Sequence, residues 1–219
     1  MRISLALAAL PLLVAGLADA HPHRGHGRDR DREPPPMMGL VAAGNACNSL
    51  VYSSDHRSQC TASLMTAQYD ATSAAAACGN LVYSSDQRVQ CAQAIATARI
   101  DPTLSIQACS NLVYSSDQRL QCVQTVSVQG WDASSSIAAC GNLVYSSDQR
   151  LTCARSVVYG GLSTDVLAGC TNLVYSSDQR LRCAAAMNGG RNVVADVFSY
   201  CSTSSYSSDD RLACVAQYK

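Results

Sequence analysis

Twelve cysteines fall in six pairs, Cys47/Cys60, Cys78/Cys91, Cys109/Cys122, Cys140/Cys153, Cys170/Cys183 and Cys201/Cys214, with the members of every pair 13 residues apart. The first members step along the chain by 31, 31, 31, 30 and 31 residues. A period of this length marks a stacked-repeat architecture, because one such unit cannot bury its apolar face alone and must pack on a copy of itself. The text CSNLVYSSDQRLQC, from Cys109 to Cys122, recurs as CGNLVYSSDQRVQC, CGNLVYSSDQRLTC and CTNLVYSSDQRLRC. Worn versions stand at the two ends, where capping units belong.

Apolar spacing sets the element type. Ile106, Ile137, Leu167 and Phe198 precede the first cysteine of their copies by three residues, and Leu81-Val82, Leu112-Val113, Leu143-Val144 and Leu173-Val174 follow it by three and four. Such groups form one stripe on a helix. Around the second cysteine, Leu120, Val123 and Val126, or Leu151, Ala154 and Val157, again keep spacings of three. With Ser115 as N-cap, Gln118 takes the third helical position, the capping-box spacing, and Asp117 sits in the first turn where the helix dipole favours a negative charge. Asp101-Pro102, Asp132 and Asp165 are start signals for the first helices, and Gly160-Gly161 and Gly189-Gly190 mark two linkers. The pattern predicts an all-α fold, a solenoid-like stack of six disulfide-stapled helical hairpins of about 31 residues. It opens with a helix near Met38–Val51 and closes with one near Ser207–Tyr218. A β-hairpin reading of LVY-SSDQ-RLQC competes, since Leu-Val-Tyr is strand-like. The Ala-rich flanks at 72–77 and 92–98 prefer helix.

One Trp and one Phe supply little aromatic core, so cross-links are expected to help hold the fold. The midpoint of each pair falls at the turn, which sets the two thiols level on facing antiparallel helices, roughly 10 Å from the bend at 1.5 Å rise per residue. A shifted scheme, such as Cys91 to Cys109, would leave Cys47 and Cys214 unpaired, whereas bridges inside each copy use all twelve. Metal ligation by the thiols is the competitor; it lacks any CxxC and has only His56 outside the leader.

Three segments follow: a signal peptide at 1–20, a His/Arg/Asp/Pro leader at 21–37 and the repeat domain at 38–219. Residues 1–20 combine Arg2, an apolar run from Ile3 to Leu17 and the ending Ala18-Asp19-Ala20, which describes a cleavable export signal. Secretion, or export to a periplasm, is the expected destination, and either compartment permits disulfides. The run is too short to span a bilayer. The leader HPHRGHGRDRDREPPP reads as a solvated spacer. Its His21 offers an amine beside an imidazole, a copper(II) chelate weakened by Pro22, so metal capture by His21–His26 is one functional alternative. From Met37 onward the chain carries 11 basic and 12 acidic residues. This balance argues against a nucleic-acid or anionic-membrane surface.

Tyr52, Tyr83, Tyr114, Tyr145, Tyr175 and Tyr206 hold equivalent places, as do Asp55, Asp86, Asp117, Asp148, Asp178 and Asp209, and Arg57, Arg88, Arg119, Arg150, Arg180 and Arg211. Stacking aligns them in ladders. Tyr83, Arg88, Tyr114, Arg119, Tyr145, Arg150, Tyr175 and Arg180 form a candidate binding ladder, Arg for anionic groups and Tyr as rigid amphipathic contact. The structural expectation is that Asp caps a helix, Arg pairs with Asp, and Tyr packs over the Arg stem with its hydroxyl on a backbone carbonyl. Residues that differ between copies, such as Gln124, Trp131, Arg155, Tyr159, Arg182 and Arg191, are the alternative recognition set. The string Tyr114-Ser115-Ser116-Asp117-Gln118-Arg119-Leu120 resembles the aromatic, Ser-Asp-Arg-Leu segments of an uncharacterised family of exported bacterial helical domains, from which it departs in the Gln and the paired cysteines. The resemblance implies helices and export and brings no activity.

The chain has one Glu, no Gly-rich phosphate loop, and His56 as its single histidine beyond the leader. No enzyme, cofactor or metal centre is expected. The reading is an exported binding or structural module with an unknown protein or cell-surface partner, no membrane span and no nucleic acid; its oligomeric state is open. The alternative is an exported enzyme or inhibitor working through the divergent linkers.

Overall fold

The computed structural model describes residues 38–189 and 194–218, all within the compact unit from Glu33 to Lys219. Residues 1–20, read above as an export signal, the histidine-bearing segment at 21–37, Gly190 and Arg191 lie outside the described residues. Twelve helices form six hairpins: α1 (Leu40–Leu50) with α2 (Ser54–Leu64), α3 (Thr72–Leu81) with α4 (Ser85–Ala96), α5 (Thr103–Leu112) with α6 (Ser116–Val126), α7 (Ser134–Leu143) with α8 (Ser147–Gly160), α9 (Thr164–Leu173) with α10 (Ser177–Ala186), and α11 (Val194–Ser204) with α12 (Ser208–Tyr218). Each odd-numbered helix packs on the next odd-numbered one and each even-numbered helix on the next even-numbered one, giving a two-layer stack. The described residues contain no strand, so the β-hairpin reading of the cystine loop is overturned. Its Leu-Val-Tyr segment ends a helix, with Leu112 the last residue of α5 and Val113 its extended C-cap.

The apolar stripe runs along the seam between the layers. Ile106, Ile137, Leu167, Leu81, Leu112, Leu143 and Leu173 are buried there. Disulfides join Cys47–Cys60, Cys78–Cys91, Cys109–Cys122, Cys140–Cys153, Cys170–Cys183 and Cys201–Cys214, each inside one hairpin, with Cα atoms 5.6–5.9 Å apart. No described cysteine is free, which removes the thiolate metal reading. Eleven of the twelve are buried, and Cys214, in the last hairpin, is half-buried. Each bridge closes a 13-residue span and contributes up to about 3 kcal/mol in the chain-entropy treatment.

Every even-numbered helix starts on a serine. Ser53, Ser84, Ser115, Ser146, Ser176 and Ser207 accept from the backbone N–H three residues on, at 3.1–3.2 Å. The reciprocal arm of the capping box closes only at Ser176, where Gln179 accepts the serine N–H. Elsewhere the glutamine reaches forward instead: Gln87 donates to Asp117, Gln118 to Asp148 and Gln149 to Asp178, at 2.7–2.8 Å. His56 stands in for glutamine in the first hairpin and places Nε2 2.9 Å from Asp86.

Arginine joins the hairpins to one another. The Nε–H of Arg88, Arg119, Arg150 and Arg180 donates at 3.1 Å to the carbonyl of the valine that ends its own odd-numbered helix. The terminal NH1 of the same residues reaches the last leucine carbonyl of the previous odd-numbered helix, Leu50, Leu81, Leu112 and Leu143, at 2.9–3.3 Å, and Arg211 does likewise to Leu173. Each guanidinium thus satisfies orphan carbonyls at two helix C-termini, where the dipoles are negative. The expected Arg–Asp pairing is therefore corrected: no ladder arginine pairs with an aspartate among the described residues, because the carbonyl ends lie closer to hand and the glutamines occupy the aspartates. Asp165 is corrected too. It lies inside the first turn of α9, whose N-cap is Ser163.

The single 30-residue step has a local cause. The helix α8 runs to Gly160 and stops in one residue at Gly161, whose left-handed φ of 65° suits a residue without Cβ. Only residues 161–163 then separate it from α9.

Replacing Arg88 by Ala is expected to cost about 2–3 kcal/mol, since it strands carbonyls of two helices. Arg57→Ala, at an exposed residue that bonds only its own hairpin among the described residues, should cost under about 1 kcal/mol. Urea unfolding of the oxidised variants compares the two.

Candidate functional site

Once cystines, caps, glutamines, aspartates and arginines have structural partners, two recurring residue types are left without a hydrogen-bond partner among the described residues. Tyr52, Tyr83, Tyr114, Tyr145 and Tyr175 are 73–78 % exposed. Their hydroxyls make no hydrogen bond within the described residues, so the expected packing over the arginine stem with a carbonyl contact is corrected. The ring follows an extended valine, and the alternation carries it out of the seam that buries its neighbour. Tyr114 alone meets an arginine face, with the Arg150 guanidinium of the next hairpin 5.9 Å from its centroid. By contrast Tyr69, in the linker after α2, is half-buried and donates to the Ile95 carbonyl at 2.8 Å. Burial, with Asp101 assisting, holds its phenol well above the ordinary range. A tyrosine the fold uses therefore looks unlike the ladder.

The second set is Asn80, Asn111, Asn142 and Asn172, two residues beyond the first cysteine. All are exposed, and no side-chain amide among them has a described partner. Their recurrence is visible in the sequence, but no ligand chemistry singles out a neutral amide, and sequence reasoning passed over them. They lie on the odd-numbered layer, where grooves run between successive helices, four of them among the described residues. One of about 370 Å³ between α1 and α3 is lined by Tyr52, Ser49, Asn80 and Arg88 among others. Another of about 470 Å³ between α3 and α5 is lined by Ser73, Asn80, Thr103, Gln107 and Ser110 with Ala76, Ala77 and Ile106. The third and fourth, between α7 and α9 and between α9 and α11, repeat the theme with Asn142 and Asn172. No acidic or lysine side chain lines any of the four, and Arg88 is the one cation. The helices α1, α3, α5 and α7 contain no charged residue at all.

The divergent residues do not converge. Trp131 lies in the linker before α7 and is 39 % exposed, while Tyr159 projects from α8. Arg155 donates to Gln121 at 3.3 Å, and Arg182 sits 3.7 Å from Asp209. Gln124 is exposed on α6. At His56 the ring's other nitrogen, Nδ1, is buried without a partner, so no serine is bound to it as a nucleophile would be. The described residues hold no cluster of metal-binding side chains and no helix long and apolar enough to cross a membrane.

Tyr83→Ala should change unfolding free energy by less than about 0.5 kcal/mol, as befits an exposed side chain without partners. A loss near that of Arg88→Ala in the same urea titration would return the ladder to a structural role.

A family model described as Galaxin-like repeats matches residues 44–185, which takes in the first five cystine loops, from Cys47 through Cys183. No curated protein and no solved structure matches the chain. The match speaks to the disulfide-rich repeat and is silent on a bacterial source. With more than half its length covered, the chain belongs to the family of Galaxin-like repeats.

Proposed function

We propose that the chain is exported and works in an oxidising compartment as a non-enzymatic structural module that presents a repeated surface. The observation that carries this reading is the distribution of tasks along the repeat. Cystines and polar side chains are spent on geometry, while a face whose first four helices carry no charge, bearing tyrosine and asparagine, is left to solvent. Twelve paired thiols favour a compartment where disulfides persist. The leading Arg2-to-Ala20 pattern and the disulfide-rich family add support for export. Repetition itself speaks against catalysis, which needs a single constellation of nucleophile, base and orienting group.

Expression of the full chain with cell fractionation and non-reducing peptide mapping tests the reading. The chain should leave the reducing cytoplasm carrying six cystines inside the hairpins, and should turn over no member of an ester, peptide or glycan library. Free thiols in a retained cytoplasmic chain, or turnover of any library member, would overturn it.

A further inference from the structure

The odd-numbered face has a chemistry that narrows its partner. Along α1, α3, α5 and α7 ionic ligands find almost nothing: these four helices carry no charge, Asp165 and Asp196 come only on α9 and α11, and the four described grooves share one arginine. Purely apolar ligands are no better served, because the groove walls alternate small apolar groups with Asn80, Ser73, Gln107 and their counterparts. What remains is a ligand rich in uncharged hydroxyl or amide groups with apolar ring faces. Asparagine offers both a donor pair and an acceptor, and a rigid tyrosine offers a flat amphipathic face at small entropic cost.

Spacing adds a second constraint. Stacked helices lie roughly 8–10 Å apart, so tyrosine and asparagine recur at the length of one disaccharide in an extended β-1,4-linked chain. In such a ribbon alternate rings present the same face, and each hairpin would meet the same groups. We propose that the odd-numbered face, with the ladder Tyr52 to Tyr175 along its edge, binds an uncharged, extended β-1,4-linked polysaccharide. Tyr83, Tyr114 and Tyr145 stack on sugar rings while Asn80, Asn111 and Asn142 bond their hydroxyl or amide groups. The inference rests on the presentation role proposed above and names its ligand class.

Each contact is weak alone, and the rigid repeat adds them through effective concentration. Isothermal titration of the oxidised full chain with cello- and chito-oligosaccharides, from disaccharide to hexasaccharide, tests this directly. Affinity should rise about tenfold or more over that range and should not change between low and molar salt, because no ion pair is involved. A Y83A/Y114A/Y145A variant and an N80D/N111D/N142D variant, each first shown by melting to be folded, should each weaken hexasaccharide binding at least about tenfold if several contacts act together. No heat with either series, unchanged affinity in the tyrosine variant, or tighter binding of anionic polygalacturonate would overturn the inference. So would a concentration-dependent dimer, seen by sedimentation, that the asparagine variant abolishes, since the face would then belong to a second copy. Peptide mapping of the same sample keeps the two readings apart. Intact cystines without sugar binding end this inference and leave the exported module standing.

Discussion

A helical hairpin of about thirty residues has only half a core, and its cystine cannot supply the other half because both sulfurs belong to the same hairpin. Association between hairpins depends on apolar seams and on polar links, chief among them the arginine that spans two helix ends. Parallel helices stacked side by side place their C-terminal carbonyls in a row, each end partly negative and each with orphan acceptors. Left to water, such a row forces the stack open at that edge; a planar fork with several donors closes it. Arg88 bonds Val82 from its own hairpin and Leu50 from the preceding one, and Arg119 bonds Val113 and Leu81 in the same manner. Lysine, with one compact ammonium, could not span both ends in this geometry.

The two kinds of link therefore act on different scales. Cystines restrict the unfolded chain within each hairpin, so a hairpin opened by fluctuation closes again on itself. Arginine carbonyl bonds and the glutamine-to-aspartate rungs, Gln87 to Asp117 and onward, act between neighbours and propagate the register. Stability in such an array is a sum of unit and interface contributions, and the ends lose one interface each. Their text is worn where that loss falls. Arg57 bonds no earlier helix among the described residues and is exposed, and Tyr200 and Tyr218 close the last hairpin by meeting edge to face with centroids 5.3 Å apart.

What could be read from the sequence was whatever depends on near neighbours or on a letter that repeats. Helix type, the serine caps and the number of hairpins follow from spacings of three, four and thirty-one residues. The partner of arginine did not follow, for a physical reason. Its acceptors are backbone carbonyls, which every residue carries and no letter marks, and one of them lies 38 residues away. An aspartate two positions off was the visible candidate and proved to be engaged by the previous hairpin, Asp86 by His56 and Asp117 by Gln87. The same blindness hid the asparagines. A neutral amide suggests no chemistry until the structure shows that everything around it is spoken for.

Four successive exposed helices without charge are unusual, since charge is the cheapest guard against association. Here the guard is supplied elsewhere: each even-numbered helix begins with an aspartate and an arginine close behind it, while the odd-numbered layer relies on small polar groups. Keeping ions off the first four odd-numbered helices has a consequence for binding. An uncharged chain meets that side without long-range steering and gains little from any single contact, so its retention depends on how many contacts hold the same register. Register, in turn, is what the staples and the arginine bonds fix before any ligand arrives. Covalent and polar links that look purely structural thereby lower the ordering cost of a many-point interaction, and a looser stack with the same tyrosines and asparagines would bind less well without losing a single contact residue.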